Sequence, residues 1–183
     1  VACIPAAIVG VLFDDVLTAL FYNYITVAIM LILVGVVFII IERSNKNKIA
    51  KIDSIDDISY GQAFLIGVFQ MIAAIFPGTS RSGSTIVGSL MLGISRTAAA
   101  EFTFFLAVPA MFGGSAIKIL KYSGGFNSAE VALLAIGMIV AFVLSIIAIK
   151  FLMSYIKKHD FKVFGWYRII LGIAVIGYFL AAR

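Results

Sequence analysis

Charge, sulfur and imidazole are all scarce in this chain. Asp, Glu, Lys and Arg make up 13% of the 183 residues, against 63% apolar residues and a mean hydropathy of +1.14. That balance excludes a soluble globule and marks an integral membrane protein. The single cysteine, Cys3, excludes an internal disulfide and any cysteine metal cluster, and reads as a small buried apolar residue. The single histidine, His159, lies among Lys157, Lys158 and Lys162 and reads as exposed. The basic excess gives a net charge of +5, but these residues fall in short segments between apolar runs. A positive-inside bias accounts for them, and no nucleic-acid partner is expected.

Four apolar runs, 24–41, 97–117, 130–148 and 163–182, read as membrane spans. Residues 1–12 are apolar and begin abruptly. They read as the end of a span that starts upstream, with Asp14 and Asp15 as its solvated end rather than a paired-carboxylate site. Segment 42–60 is the most polar and, with 150–162, reads as a cytoplasmic loop, which puts 118–129 and Arg183 outside. Pro109 is expected to kink its span. Trp166 and Tyr167 are placed as interfacial anchors, with Arg168 near the boundary.

One polar island interrupts the pattern: Phe76-Pro77-Gly78-Thr79-Ser80-Arg81-Ser82-Gly83-Ser84-Thr85. Pro77 disfavours helix at Phe76, so the preceding helix ends there. Gly78 and Gly83 permit the dihedrals of a tight loop. Ser82 or Ser84 is expected to cap a following helix that stops at Gly93. A loop feeding a helix N-terminus offers free N–H groups and a favourable dipole to an anion. Arg81 adds a planar fork suited to phosphate oxygens, and Thr79, Ser80, Ser82, Ser84 and Thr85 add hydroxyls. The expected ligand is a phosphate or diphosphate. An arginine at membrane depth is by default a functional-site hypothesis. No Gly-Lys-Ser/Thr accompanies the island, so it is not a nucleotide P-loop, and no histidine is near enough in sequence to form a phosphoenzyme.

Length adds topology. A helix over 84–92 rises only about 14 Å and one over 61–76 about 24 Å, short of a hydrocarbon core of about 30 Å. Residues 61–93 are therefore expected to form a re-entrant hairpin with 77–85 as its phosphate-binding loop, inside a single transmembrane domain over 1–183. Gln70 is expected to reach the loop backbone or bond across helices. Glu101 reads equally as a partner of Arg81, as a metal or water ligand, or as an acid satisfied at a helix N-terminus.

The island, with Phe69-Gln70 before it and Ser95-Arg96, Glu101-Phe102 and Phe105-Leu106-Ala107-Val108-Pro109 after it, resembles the undecaprenyl-diphosphate phosphatase family. That family is also called the bacitracin-resistance protein family. The resemblance runs from Ile4-Pro5-Ala6 to Tyr167-Arg168. It implies an all-α polytopic helix bundle with a re-entrant hairpin, one half of an inverted-repeat architecture. It also implies hydrolysis of undecaprenyl diphosphate to the monophosphate and inorganic phosphate in the bacterial inner membrane. That reaction recycles the lipid carrier for peptidoglycan synthesis and confers bacitracin resistance.

By the same resemblance Ser80, Arg81 and Thr85 match phosphate-contacting positions. Arg81 and Ser80 take the catalytic assignment. Gly78, Thr79, Ser82, Gly83, Ser84 and Thr85 take substrate binding, and Gln70 and Glu101 an accessory place. The family's acidic motif has no counterpart here, so the chain is expected to be N-terminally truncated. The ligands of a divalent cation, Mg²⁺ or Ca²⁺, and the catalytic acid are then expected in the absent part. The implied partners are a polyprenyl diphosphate and the bilayer, with a homodimer allowed. A polyprenyl-phosphate carrier, built on the same broken helix, is the rival function. A purely structural subunit leaves Arg81 unexplained.

Overall fold

A computed structural model describes residues 1–46, 48–122, 124–125 and 127–181, with the side chain of residue 14 excepted. Arg183 and the Asp14 carboxyl, both assigned from sequence, lie outside that description. Among the described residues seven α-helices follow one another: α1 (Ile4–Phe21), α2 (Tyr24–Asn45), α3 (Tyr60–Ile75), α4 (Arg81–Met91), α5 (Arg96–Lys121), α6 (Ser128–Ile156) and α7 (Lys162–Ala181). Among the described residues the only bridge between extended segments is an isolated one, Ile52 to Ile94. The protein is an all-α, multi-pass membrane protein.

Local chemistry sets most helix starts. Asn23, Ser59, Ser95 and Asn127 each cap the helix that follows with a side-chain oxygen, and Ser59/Gln62 and Asn127/Glu130 are reciprocal capping boxes. Among the described residues four unbroken helices are long and apolar enough to cross a membrane: α2, α5, α6 and α7. They coincide with the four runs expected as spans. Pro109 lies inside α5.

Two expectations about the first half need correction. The apolar N-terminal stretch does not end at Leu12. Helix α1 runs on to Phe21, and its two pieces, Ile4–Phe13 and Asp15–Phe21, meet at 83°. Together they pass the length and apolarity test as a broken span or a re-entrant pair. Asp15 itself is exposed. Nor does the polar loop begin at residue 42, since α2 continues through Asn45. The physical reason is Glu42, which is 1% exposed because Arg96 reaches back to pair with it.

Small residues let the long helices approach closely, the usual device where lipid leaves no hydrophobic drive between helices. Helices α2 and α7 pack so tightly that a Cβ added at Gly35 would lie 2.7 Å from the Gly165 carbonyl oxygen. One added at Gly172 would lie 2.9 Å from that of Ala28. One apolar cluster joins Phe38, Val87, Leu90, Ala100, Ile156 and Phe161; a second joins Ile66, Ile94, Ala98, Ala99 and Leu106. Helix α6 stands apart: of its 29 residues only Ile156 is buried. Its apolar surface all round suits lipid contact.

Residues 51 and 52 are tied down at the α4–α5 joint. Lys51 N–H donates to the Gly93 carbonyl at 2.8 Å and Ser95 N–H to that of Ile52 at 2.8 Å. Gly93, at φ 83°, closes α4 as the sequence predicts. His159 is exposed and stacks on Tyr155 at 4.3 Å.

Candidate active site

Helix α3 ends at Ile75, and α4 begins at Arg81 after the five intervening residues 76–80. Gly78 makes the reversal at φ 88°, with its Cα so close to α2 that an added Cβ would sit 2.5 Å from the Val27 carbonyl oxygen. The cap of α4 is Ser80, not Ser82 or Ser84: the Ser80 hydroxyl accepts from Gly83 N–H at 3.2 Å. Ser80 holds φ 63°, and among the described residues no other residue except glycine has positive φ. That backbone is costly for an L-residue and persists only where its surroundings impose it.

The early start moves Arg81 through Thr85 out of the loop and into the first turns of α4. Gly83 therefore serves close packing rather than an unusual dihedral. An added Cβ there would lie 3.3 Å from Arg168 Nη2 and 3.4 Å from the Phe38 ring.

Consecutive helical positions point in different directions, and this splits the island. Arg81 is half-buried and lines a cavity of about 390 Å³ between α1, α3 and α5. Among the described residues its guanidinium forms no hydrogen bond or ion pair. Gln70 lines the same cavity, is 3% exposed, and its Oε1 has no partner. Gln70 thus makes neither of its expected contacts; its amide and the Arg81 guanidinium line the same cavity without partners. The remaining walls are small or apolar, among them Ala6, Ala7, Ala73, Ala110, Gly113 and Cys3. The Cys3 thiol is half-buried, 3.9 Å from the Leu106 carbonyl oxygen.

The other hydroxyls lie elsewhere. Ser82 is exposed, 3.2 Å from the Ser80 hydroxyl, and lines a smaller cavity of about 120 Å³ with Thr103 and Arg168. Thr85 is fully buried and already engaged, with the Thr103 hydroxyl at 2.9 Å and with the Arg81 and Ser82 carbonyls. It joins α4 to α5. Ser84 is buried within the same helix. Thr79 is 1% exposed with Oγ1 unpartnered. Glu101 is half-buried and forms no ion pair with Arg81 among the described residues. The N–H groups of Arg81 and Ser82 take no acceptor among the described residues, so the α4 N-terminus keeps two free donors.

Arg168 was missed. From within α7 its Nη1 donates to the Thr79 carbonyl at 3.1 Å and that of Gly78 at 3.4 Å. Its signal was in the sequence, a lone cation inside an apolar span, which is the same feature that singled out Arg81. The second missed pair is Glu42 and Arg96. Both carboxylate oxygens accept from Arg96, and Oε1 also accepts from Phe161 N–H at 3.1 Å. Nearby, burial raises the Asp160 pKa, but hydrogen bonds from the Lys162 side chain and backbone outweigh it and hold the carboxyl below its usual range.

A family model described as bacitracin resistance protein BacA matches residues 1–174. The chain belongs to this family. The chain is 63% identical over 181 residues to an undecaprenyl-diphosphatase of Desulfitobacterium hafniense, covering 99% of this chain and 65% of the relative. It is 63% identical over 180 residues to undecaprenyl-diphosphatase 1 of Clostridium acetobutylicum, covering 98% and 66%. It is 62% identical over 176 residues to an undecaprenyl-diphosphatase of Enterococcus faecalis, covering 96% and 63%. The chain spans just under two thirds of the length of these curated relatives.

As for the cation that the BacA-family resemblance implies, no group of three or more His, Cys, Asp or Glu side chains among the described residues fits one. No step is assigned to it.

Proposed function

We propose that this chain forms the phosphate-binding part of an undecaprenyl-diphosphate phosphatase of the bacterial inner membrane. The observation that carries the reading is the free Arg81 guanidinium and the unpartnered Gln70 amide in one cavity whose other walls are apolar. A cation left unpaired among apolar walls is costly unless an anion joins it. The high identity to relatives named undecaprenyl-diphosphatase supplies the anion's identity.

In this reading the α3–α4 pair is a re-entrant hairpin. Helix α3 rises about 24 Å and α4 about 16 Å, so neither spans the core alone. The hairpin brings the α4 N-terminus to mid-depth. Arg81 binds the diphosphate and neutralises charge that develops as the bond between the phosphates breaks. Gln70 offers both donors and an acceptor, so it orients a phosphate oxygen or the Arg81 fork itself. The free N–H groups of Arg81 and Ser82 hold phosphate oxygens at the helix end. Ser80 keeps that end in register through Gly83 N–H, and Thr85 fixes α4 to α5. Arg168 holds the loop carbonyls away from the anion. The small residues of α1, α3 and α5 form the apolar side of the cavity, where the first part of a prenyl chain fits.

The test uses the full-length protein in liposomes with undecaprenyl diphosphate. Phosphate release and transbilayer movement of a labelled polyprenyl phosphate are followed together. Phosphate release is the expected result; lipid movement without phosphate release would replace the hydrolase by a carrier.

A further inference from the structure

We propose that the protein carries a second anion site, distinct from the Arg81 cavity, which takes the headgroup of an anionic bilayer phospholipid. It is the concave corner of about 540 Å³ where the end of α2, the α4–α5 joint and the end of α6 meet. Lys48, Lys51, Lys157 and Arg96 line it, and none of its lining side chains is acidic. Arg96 is spent on Glu42, and Lys48 donates to the Ser44 hydroxyl at 3.2 Å, a neutral partner. The ammonium groups of Lys51 and Lys157 form no hydrogen bond or ion pair among the described residues. Three net positive charges therefore converge on a hollow that lacks a carboxylate.

The depth and polarity of the hollow select a lipid. It sits at the ends of two helices long and apolar enough to span, α2 and α6, which is headgroup level. Its floor and rim are apolar: Leu92, Ile94 and Ile156 line it, while Ile49 is 94% and Met91 60% exposed at its mouth. A free inorganic anion has no use for that apolar rim. A phospholipid fits both, with phosphate on the lysines and the first acyl carbons on Ile49 and Met91. Basic hollows between membrane helices bind acidic headgroups in this way. A diffuse positive-inside bias requires only lysines on this side of the membrane. It does not require them to line one cavity.

The experiment compares the full-length protein with two triple variants in nanodiscs. One, Lys48→Gln/Lys51→Gln/Lys157→Gln, empties the hollow of charge. The other, Lys46→Gln/Lys150→Gln/Lys158→Gln, removes equal charge from the same loops and helix ends at residues that do not line it. Thermal melts and the count of retained lipids by native mass spectrometry are recorded with phosphatidylglycerol, with phosphatidylcholine, and with phosphatidylcholine plus inorganic phosphate. Each lysine near an acidic surface contributes about fivefold in affinity, so the hollow variant should lose about a hundredfold. The wild type and the control variant should keep a phosphatidylglycerol-specific rise in Tm and a retained lipid; the hollow variant should lose both. Equal loss in both variants reduces the effect to bulk charge and overturns the site. An equal Tm rise with inorganic phosphate overturns the lipid.

Discussion

Arg168→Met is the most informative perturbation outside the Arg81 cavity. In the structure the Arg168 guanidinium is the only hydrogen-bond partner of the Gly78 and Thr79 carbonyls among the described residues, at 3.4 and 3.1 Å. The 3.1 Å contact is a sound charge-assisted hydrogen bond; the 3.4 Å contact is weak. A hydrogen bond from a charged donor contributes about 1.5–3 kcal/mol net, so losing one good and one weak bond costs the closed loop about 2 kcal/mol. That is about thirtyfold in its opening equilibrium. The reporter is the Gly83 amide, held by the Ser80 hydroxyl at the loop's far end. Its hydrogen exchange should accelerate about thirtyfold, while amides in the middle of α6 should not change. In the phosphatase assay kcat should fall far more than KM rises, because the site is misplaced rather than removed. Arg168→Lys should be intermediate, since one ammonium cannot copy the planar fork. Gly83 exchange and kcat both within threefold of wild type would refute the idea that Arg168 positions the loop.

Three further outcomes follow from the geometry. Gly78→Ala forces an L-residue to φ 88° and drives a Cβ to 2.5 Å from the Val27 carbonyl oxygen, so it should cost at least the 1–2 kcal/mol of the backbone alone, read as a lower Tm. Glu42→Gln strips Arg96 of its anion and should destabilise by about 2–3 kcal/mol in a denaturation series. That is below the figure for a fully buried pair because the Arg96 side chain keeps 37% of its surface exposed. A cysteine at exposed Ser82, in a Cys3→Ser background, should react with small thiol reagents, resist bulky impermeant ones from both sides, and be protected by a phosphate analogue. Ready labelling by a bulky impermeant reagent from the face opposite residues 58–60 would contradict the re-entrant hairpin.

Features written in short-range chemistry were readable before the structure. The four spans are continuous apolar runs, and Gly78 and Gly93 sit where positive φ is needed. What escaped depends on distant partners. Glu42 meets Arg96 across 54 residues and Arg168 meets Gly78 across 90, and without those contacts each charge looks like a loop or boundary residue. The island itself was readable as an anion site but not as a geometry. Placing the cap at Ser80 rather than Ser82 or Ser84 rotates the following residues around α4. Arg81 then faces the α1–α3–α5 cavity, Ser82 faces Arg168, and Thr85 turns into the joint with α5. Only tertiary packing, which buries residues 83–90 without a break, sets that rotation.

In the proposed reading the free guanidinium of Arg81 holds the diphosphate through the reaction. That role is tested most directly by the rate of phosphate release from undecaprenyl diphosphate, compared between the full-length wild type and its Arg81→Ala and Arg81→Lys variants, each with a wild-type melting profile. Loss of a preorganised contact to developing charge predicts a fall of about a hundredfold or more for Arg81→Ala. Arg81→Lys should also fall well below wild type because the fork is lost. A folded Arg81→Ala variant that releases phosphate at near the wild-type rate would contradict the account.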